Sequence, residues 1–140
     1  MTAIVLDASV VLKWFLPEAE SEAAIRLREL EVACEAPDLL LLEVANALWK
    51  HVQRGTIEAS MAAGAVSALA EAPIGWRAAE TLFQHAFDLA IQTGRTVYDC
   101  AYLALAIESG NPLVTADRRF YDAVKTGPLA AHMRWLGDIA

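Results

Sequence analysis

The chain has 140 residues, 56% of them apolar, and a formal net charge of −7. This length suits a single domain over residues 1–140 with a substantial core, and the apolar runs, broken by charges, fall short of the roughly 20 residues that a membrane span needs. Taken alone, the acidic balance argues against nucleic-acid binding, because phosphate attracts Lys and Arg, although bound cations reverse the local sign at a metal site.

Ala3–Leu6 is a short run rich in β-branched residues that stops at Asp7, and it predicts a buried parallel strand. No basic leader precedes it, and Asp7 lies within the apolar stretch, so it does not read as a secretion signal. Ser9–Phe15 predicts a short helix stopped by Pro17. Glu18 to Leu30 predicts an amphipathic helix with Ala23, Ala24, Leu27 and Leu30 on one side and Arg26 and Arg28 on the other. Val32–Ala36 is a weaker strand.

Pro37-Asp38 marks the start of a helix over Leu39–Arg54, with Asp38 as its N-cap and Gly55 at its end. An alanine-rich helix from Thr56 or Glu58 to Pro73 follows, then a short strand at Ile74–Arg77 and a helix over Glu80–Thr93 closed by Gly94. Asp99 opens a helix over Cys100–Glu108 that Gly110 ends. Pro112–Thr115 is a second clear strand, running into Asp117, before a helix over Arg118–Val124 and a last strand at Met133–Leu136. Strands alternate with helices, so the class is α/β with a parallel sheet. Cys34 and Cys100 lie in apolar surroundings without metal-ligand spacing, and they read as free, buried thiols in a reducing cytosol.

Four acids stand out from ordinary surface charge. Asp7 and Asp117 both follow apolar strands, at the carboxyl ends where open α/β sheets form ligand sites. If those strands are neighbours, the two carboxylates approach one another. Each also suits a helix N-cap, as does Asp99. Glu43 interrupts Leu39–Leu42 and Val44-Ala45, with no cation at helical spacing. A carboxylate on so apolar a helix is costly unless something meets it.

Two carboxylates about 4 Å apart repel by roughly 4 kcal/mol at an effective dielectric near 20. Four gathered together would need compensation, and divalent cations supply it. Carboxylate oxygens suit Mg²⁺ or Mn²⁺. His51, His85 and His132 lack close ligand spacing, which disfavours zinc. Metal ions held by carboxylates point to phosphodiester hydrolysis.

Four segments then resemble the PIN domain family: Val5-Leu6-Asp7-Ala8-Ser9, Glu43-Val44-Ala45-Asn46-Ala47-Leu48, Tyr98-Asp99-Cys100-Ala101-Tyr102-Leu103-Ala104-Leu105-Ala106, and Leu113-Val114-Thr115-Ala116-Asp117-Arg118-Arg119-Phe120. They occur in family order across nearly the whole chain, in the style of VapC toxins. The resemblance implies a three-layer α/β/α fold around a parallel sheet and an endoribonuclease dependent on Mg²⁺ or Mn²⁺. It makes Asp7, Glu43, Asp99 and Asp117 the catalytic, metal-binding acids, Ser9 and Thr115 polar supports, and Asn46 a residue orienting Glu43 or water. It also implies an RNA substrate, a homodimer and a VapB-type antitoxin partner.

Lys13, Arg95, Arg118 and Arg119 are candidates for RNA phosphates, and Asp122 is either a fifth acid or a surface residue. Trp14, Phe15, Leu16 and Leu39–Leu42 supply either core or partner surface. Three other readings compete. One is a PIN-like module that binds RNA or protein without cleaving. Another is a DNA-directed nuclease. The third is a haloacid-dehalogenase-type phosphatase, which Ser9 disfavours by standing where that family has its second aspartate.

Overall fold

The computed structural model describes residues 3–139. Five strands, β1 (Ala3–Leu6), β2 (Ala33–Pro37), β3 (Ile74–Arg77), β4 (Leu113–Thr115) and β5 (Met133–Trp135), form one sheet in the order β3-β2-β1-β4-β5. Every pairing is parallel. Ile4, Val5 and Leu6 are all fully buried in succession, so both faces of the central strand are covered, as an all-parallel sheet requires. Helices on the two faces give the expected three-layer arrangement.

The helices are α1 (Ala8–Leu12), α2 (Ser21–Glu29), α3 (Leu39–Gln53), α4 (Ala59–Ala70), α5 (Phe83–Thr93), α6 (Val97–Ser109) and α7 (Arg118–Val124). The middle of helix α6 is buried all round, with seven successive residues from Cys100 to Ala106 enclosed. It lies between α5 and strands β1, β2 and β4, which explains why its sequence lacks an amphipathic stripe. No helix among the described residues is long and apolar enough to cross a membrane.

Several expected boundaries move for identifiable reasons. The second helix begins at Ser21 rather than Glu18. The Ser21 hydroxyl donates to the Leu16 carbonyl and accepts from the Glu18 amide, which holds residues 16–20 in a turn. Glu20 takes φ 65° there. The expected helix over Glu80–Thr93 splits into a 3₁₀ turn at Ala79–Thr81 and α5. Asp38 does not cap α3 with its side chain; its Oδ1 accepts from the Ala79 amide at 3.0 Å and ties the end of β2 to the segment after β3. Cys100 is buried, whereas Cys34 is half-buried.

Of the apolar residues weighed as partner surface, Leu16 and Leu40 are buried, and Trp14, Phe15, Leu39 and Leu41 pack against the core. Leu42 is the exception, at 76% exposed. The polypeptide runs from β1 outward through β2 and β3, then returns to the other side of β1 as β4. The β1/β4 boundary is therefore the point where strand order reverses, the position at which α/β sheets bind ligands beyond the strands' carboxyl ends.

Candidate active site

Asp7 and Thr115 stand side by side at that boundary. Val5 pairs with Leu113 and Leu6 with Val114, and the Asp7 amide donates to the Val114 carbonyl at 3.1 Å. Both side chains are buried, with Asp7 5% exposed and Thr115 fully enclosed. Thr115 Oγ1 donates to Asp7 Oδ2 at 2.9 Å, and Ser9 Oγ donates to the same oxygen at 2.5 Å. Ser9 Oγ also accepts from the Ala116 amide, and Thr115 Oγ1 accepts from the Asp117 amide, each at 3.0 Å. Two hydroxyls thus lock the ends of β1 and β4 together and fix the Asp7 carboxylate between them. Although Asp7 occupies the N-cap position of α1, its side chain makes no capping bond.

Burial pushes the Asp7 carboxyl up to about 7, against the lowering effect of the Ser9 and Thr115 hydrogen bonds; the charges of Asp99 and Glu43 push it the same way as burial. Glu43 sits in the second turn of α3 and is half-buried. Its partner is a neutral hydroxyl rather than a cation: Tyr102 Oη donates to Glu43 Oε1 at 2.6 Å. Burial raises the Glu43 carboxyl, the Tyr102 bond opposes that rise, and Asp99 adds to it. The Tyr102 phenol is itself raised by burial and by Asp7, Glu43 and Asp99, so it stays a donor.

Asp99 lies in the first turn of α6, but it does not cap the helix. Thr96 does, accepting from the Asp99 amide at 3.1 Å. The Asp99 carboxylate is thereby free to face the site, and Arg95 Nη2 donates to its Oδ2 at 2.9 Å. Burial raises the Asp99 carboxyl, Arg95 opposes this through its hydrogen bond and charge, and Asp117 raises it further. Asp117 does cap its helix, with Oδ1 accepting from the Phe120 amide at 3.2 Å. One carboxylate oxygen engaged in a cap leaves the second available.

The four acids therefore repel one another in series, Asp7 with Asp99 and Glu43, Glu43 with Asp99, and Asp99 with Asp117. These are hard oxygen donors in a partly desolvated place, the chemistry of a Mg²⁺ or Mn²⁺ site. Among the described residues, no three His, Cys, Asp or Glu side chains close on one point as ligands do, so the donor chemistry fits a divalent cation while the acids stand apart.

The other candidate residues divide. Ser9 and Thr115 are in the site. Asn46 is exposed one turn beyond Glu43 on α3, and no hydrogen bond joins it to Glu43. Lys13 is paired with Glu18 at 3.7 Å. The Arg118 guanidinium lies 3.8 Å from the Trp135 ring centroid, and Arg119 is exposed. Asp122 pairs with Lys125 at 2.9 Å and Arg118 at 3.9 Å, an ordinary surface arrangement. His51 bonds Thr56, and His85 bonds Glu108, away from the acids. Tyr102 was not among the residues singled out from the sequence, although its place three residues after Asp99 puts it on the same helical face.

Residues 4–125 match the PIN domain family. The chain belongs to that family. It is 37% identical over 118 residues to Ribonuclease VapC3 of Pyrobaculum aerophilum, covering 83% of this chain and 90% of that protein. Among solved structures it resembles PAE2754 of P. aerophilum, with a TM-score of 0.72 and 23% identity over 99% of this chain and 86% of that one. It also resembles VapC20 of Mycobacterium tuberculosis, described as a sarcin–ricin loop cleaving toxin, with a TM-score of 0.69 and 16% identity over 86% of this chain and 95% of that one. The PIN resemblance read from the four acidic motifs and the three-layer fold it implied both hold.

Proposed function

We propose that this PIN domain protein is a metal-dependent endoribonuclease, the toxin of a type II toxin–antitoxin pair, with Asp7, Glu43, Asp99 and Asp117 as its catalytic acids. The observation that carries this reading is the buried Asp7 carboxylate, held by Ser9 and Thr115 at the switch point of the sheet and electrostatically joined to Glu43 and Asp99. The similarity to a VapC ribonuclease over most of both chains supports the RNA substrate.

The four acids would hold Mg²⁺ or Mn²⁺, which when bound lowers the pKa of water and stabilises the leaving oxygen in phosphodiester hydrolysis. Ser9 and Thr115 orient Asp7. Tyr102 fixes the Glu43 rotamer and, as a neutral donor, does so without competing charge. Thr96 anchors the start of α6 and so sets the position of Asp99. Asn46 lies on the solvent side of Glu43, in reach of water or RNA. Arg118, held against Trp135, presents a cation next to Asp117, and the exposed Arg119 adds a second for phosphate; Lys13, mostly buried against Glu18, would reach phosphate only by leaving that pair.

An acidic chain acting in the cytoplasm on an anionic polymer needs such local positive charge. Exposed apolar side chains on α3 (Leu42, Trp49) and α5 (Phe83, Phe87, Ile91) offer surface for a second copy and for a VapB-type antitoxin.

Cleavage of labelled total RNA by purified protein, in EDTA or in Mg²⁺ or Mn²⁺ and beside Asp7→Asn, tests the proposal. Fragments that require the metal and vanish in the variant are expected. Folded protein, freed of any antitoxin and inert with every metal, would shift the weight to a module that binds RNA or protein without cutting.

A further inference from the structure

Arg95 stands among the acids in an arrangement that its ion pair alone does not explain. It follows Gly94, which takes φ 73° and ends α5, and its own amide is anchored on Thr93 Oγ1 at 3.2 Å. Its side chain, about three-quarters buried, reaches Asp99 Oδ2 at 2.9 Å. Its guanidinium also lies 5.6 Å from the ring centroid of Phe120, the residue whose amide is capped by Asp117. The cation is thus set between the helix starts that carry Asp99 and Asp117.

Its Nε is buried with no hydrogen-bond partner among the described residues. A buried N–H left unpaired carries a free-energy cost, so this is a pair with an unmet demand rather than a fully satisfied one. Together with the finding that no three acids close on a common point, the geometry assigns Arg95 a specific part.

We infer that Arg95 is the built-in counter-ion of the acid cluster: it competes with the divalent cation for Asp99 and gives up that carboxylate when the cation binds. The inference rests on reading Asp99 as a metal-binding acid. The physical ground is that Asp99 cannot engage a guanidinium and a divalent cation through the same oxygen at full strength. Two positive charges on one carboxylate repel, and the divalent charge is the stronger partner for a hard oxygen. The backbone of Arg95 stays fixed by Thr93, so only the side chain has to move. The Phe120 ring, 5.6 Å from the guanidinium, keeps a cation-binding face beside the released side chain, and a guanidinium freed at the site suits a phosphate oxygen.

Calorimetric titration of Mn²⁺ into the metal-stripped full-length chain, without RNA, tests this. Arg95→Gln is expected to bind Mn²⁺ about tenfold more tightly than the parent, and Asp99→Asn more weakly. A folded Arg95→Gln protein whose Mn²⁺ affinity is unchanged or lower, beside an Asp99→Asn protein that has lost affinity, overturns the counter-ion assignment alone. An Asp99→Asn protein that binds like the parent overturns the reading of Asp99 as a ligand, and this inference with it. The unmutated protein gives an independent measure. The nitrogen resonance of Arg95 Nε is expected to shift on saturation with Mg²⁺, and a signal that stays in place under saturation overturns the exchange.

Discussion

Replacing Asp7 with asparagine is expected to stabilise the metal-free protein while abolishing cleavage. Burial lifts the Asp7 carboxyl from its ordinary 3.8 to about 7, so near pH 7 and above the folded protein carries a charge that its surroundings oppose. The folded state keeps a proton that the unfolded chain has released. Stability is therefore fully present below pH about 4 and lost as pH rises towards 7. A shift of roughly three units corresponds to about 4 kcal/mol, and with Asp7 only 5% exposed solvent screening reduces this little. Asparagine is nearly isosteric with the protonated acid, and its carbonyl oxygen still accepts from Ser9 and Thr115.

At pH 8 in EDTA the variant should melt on the order of 10 °C higher, taking roughly 2–4 °C per kcal/mol for a chain of this size. The advantage should shrink steadily as pH falls to 5. Saturating Mg²⁺ should narrow or reverse it, because only the parent gains from binding. Thermal melts from pH 4.5 to 8.5 with and without metal supply the measurement. A variant less stable than the parent in EDTA at pH 8 would refute the reasoning, as would an advantage independent of pH. The first result would mean that the fold welcomes the Asp7 charge, and the second that the gain comes from something other than that charge.

Thr115→Val keeps the shape of a fully buried residue but removes the donor to Asp7 and the acceptor for the Asp117 amide. It should cost about 2–4 kcal/mol in a denaturant melt and move the acidic limb of the cleavage-rate profile to higher pH, since the lost bond holds the Asp7 pKa down. Tyr102→Phe removes the hydroxyl that lowers the Glu43 carboxyl. The expected result is a loss of about 1–3 kcal/mol and a cleavage defect greater at pH 6 than at pH 8, read from a pH series of initial rates. Thr96→Ala deletes the cap of α6 and should cost about 1 kcal/mol. Because the cap sets Asp99 as well as the helix, its Mn²⁺ affinity measured by calorimetry should also fall.

The strands that frame the site were legible because β1 and β4 are short apolar runs that each end near an aspartate, and the acids because they sit where strands end or where an apolar helix tolerates no charge. Thr96 and Asp99, spaced as a capping pair, carry the signal for the true start of α6, one turn before the start that Asp99 as a cap predicts. Other contacts left no local trace. Tyr102 meets Glu43 across 59 positions, and Asp38 meets Ala79 across 41. The first follows from where α3 and α6 lie in the fold and the second from the pairing of β2 with β3, which no periodicity of either segment encodes. Leu16 and Trp14 likewise suited core or partner surface equally in sequence, and the fold places Leu16 in the core and Trp14 against it. The Trp14 indole donates to the Ala24 carbonyl at 3.0 Å.

The hydroxyl of Thr115 bonds Asp7 across 108 positions, and this has a consequence for the order of events during folding. β1 is made first, yet the strand that completes its second edge comes last but one. A chain synthesised only through α6 has Asp7, Glu43 and Asp99 but neither Thr115 nor Asp117. Closing so long a loop is slow and needs most of the sequence in place. The nuclease chemistry proposed here would therefore switch on late and in one step, when β4 docks. Any local opening that peels β4 from β1 would switch it off again without disturbing the strands on the other side.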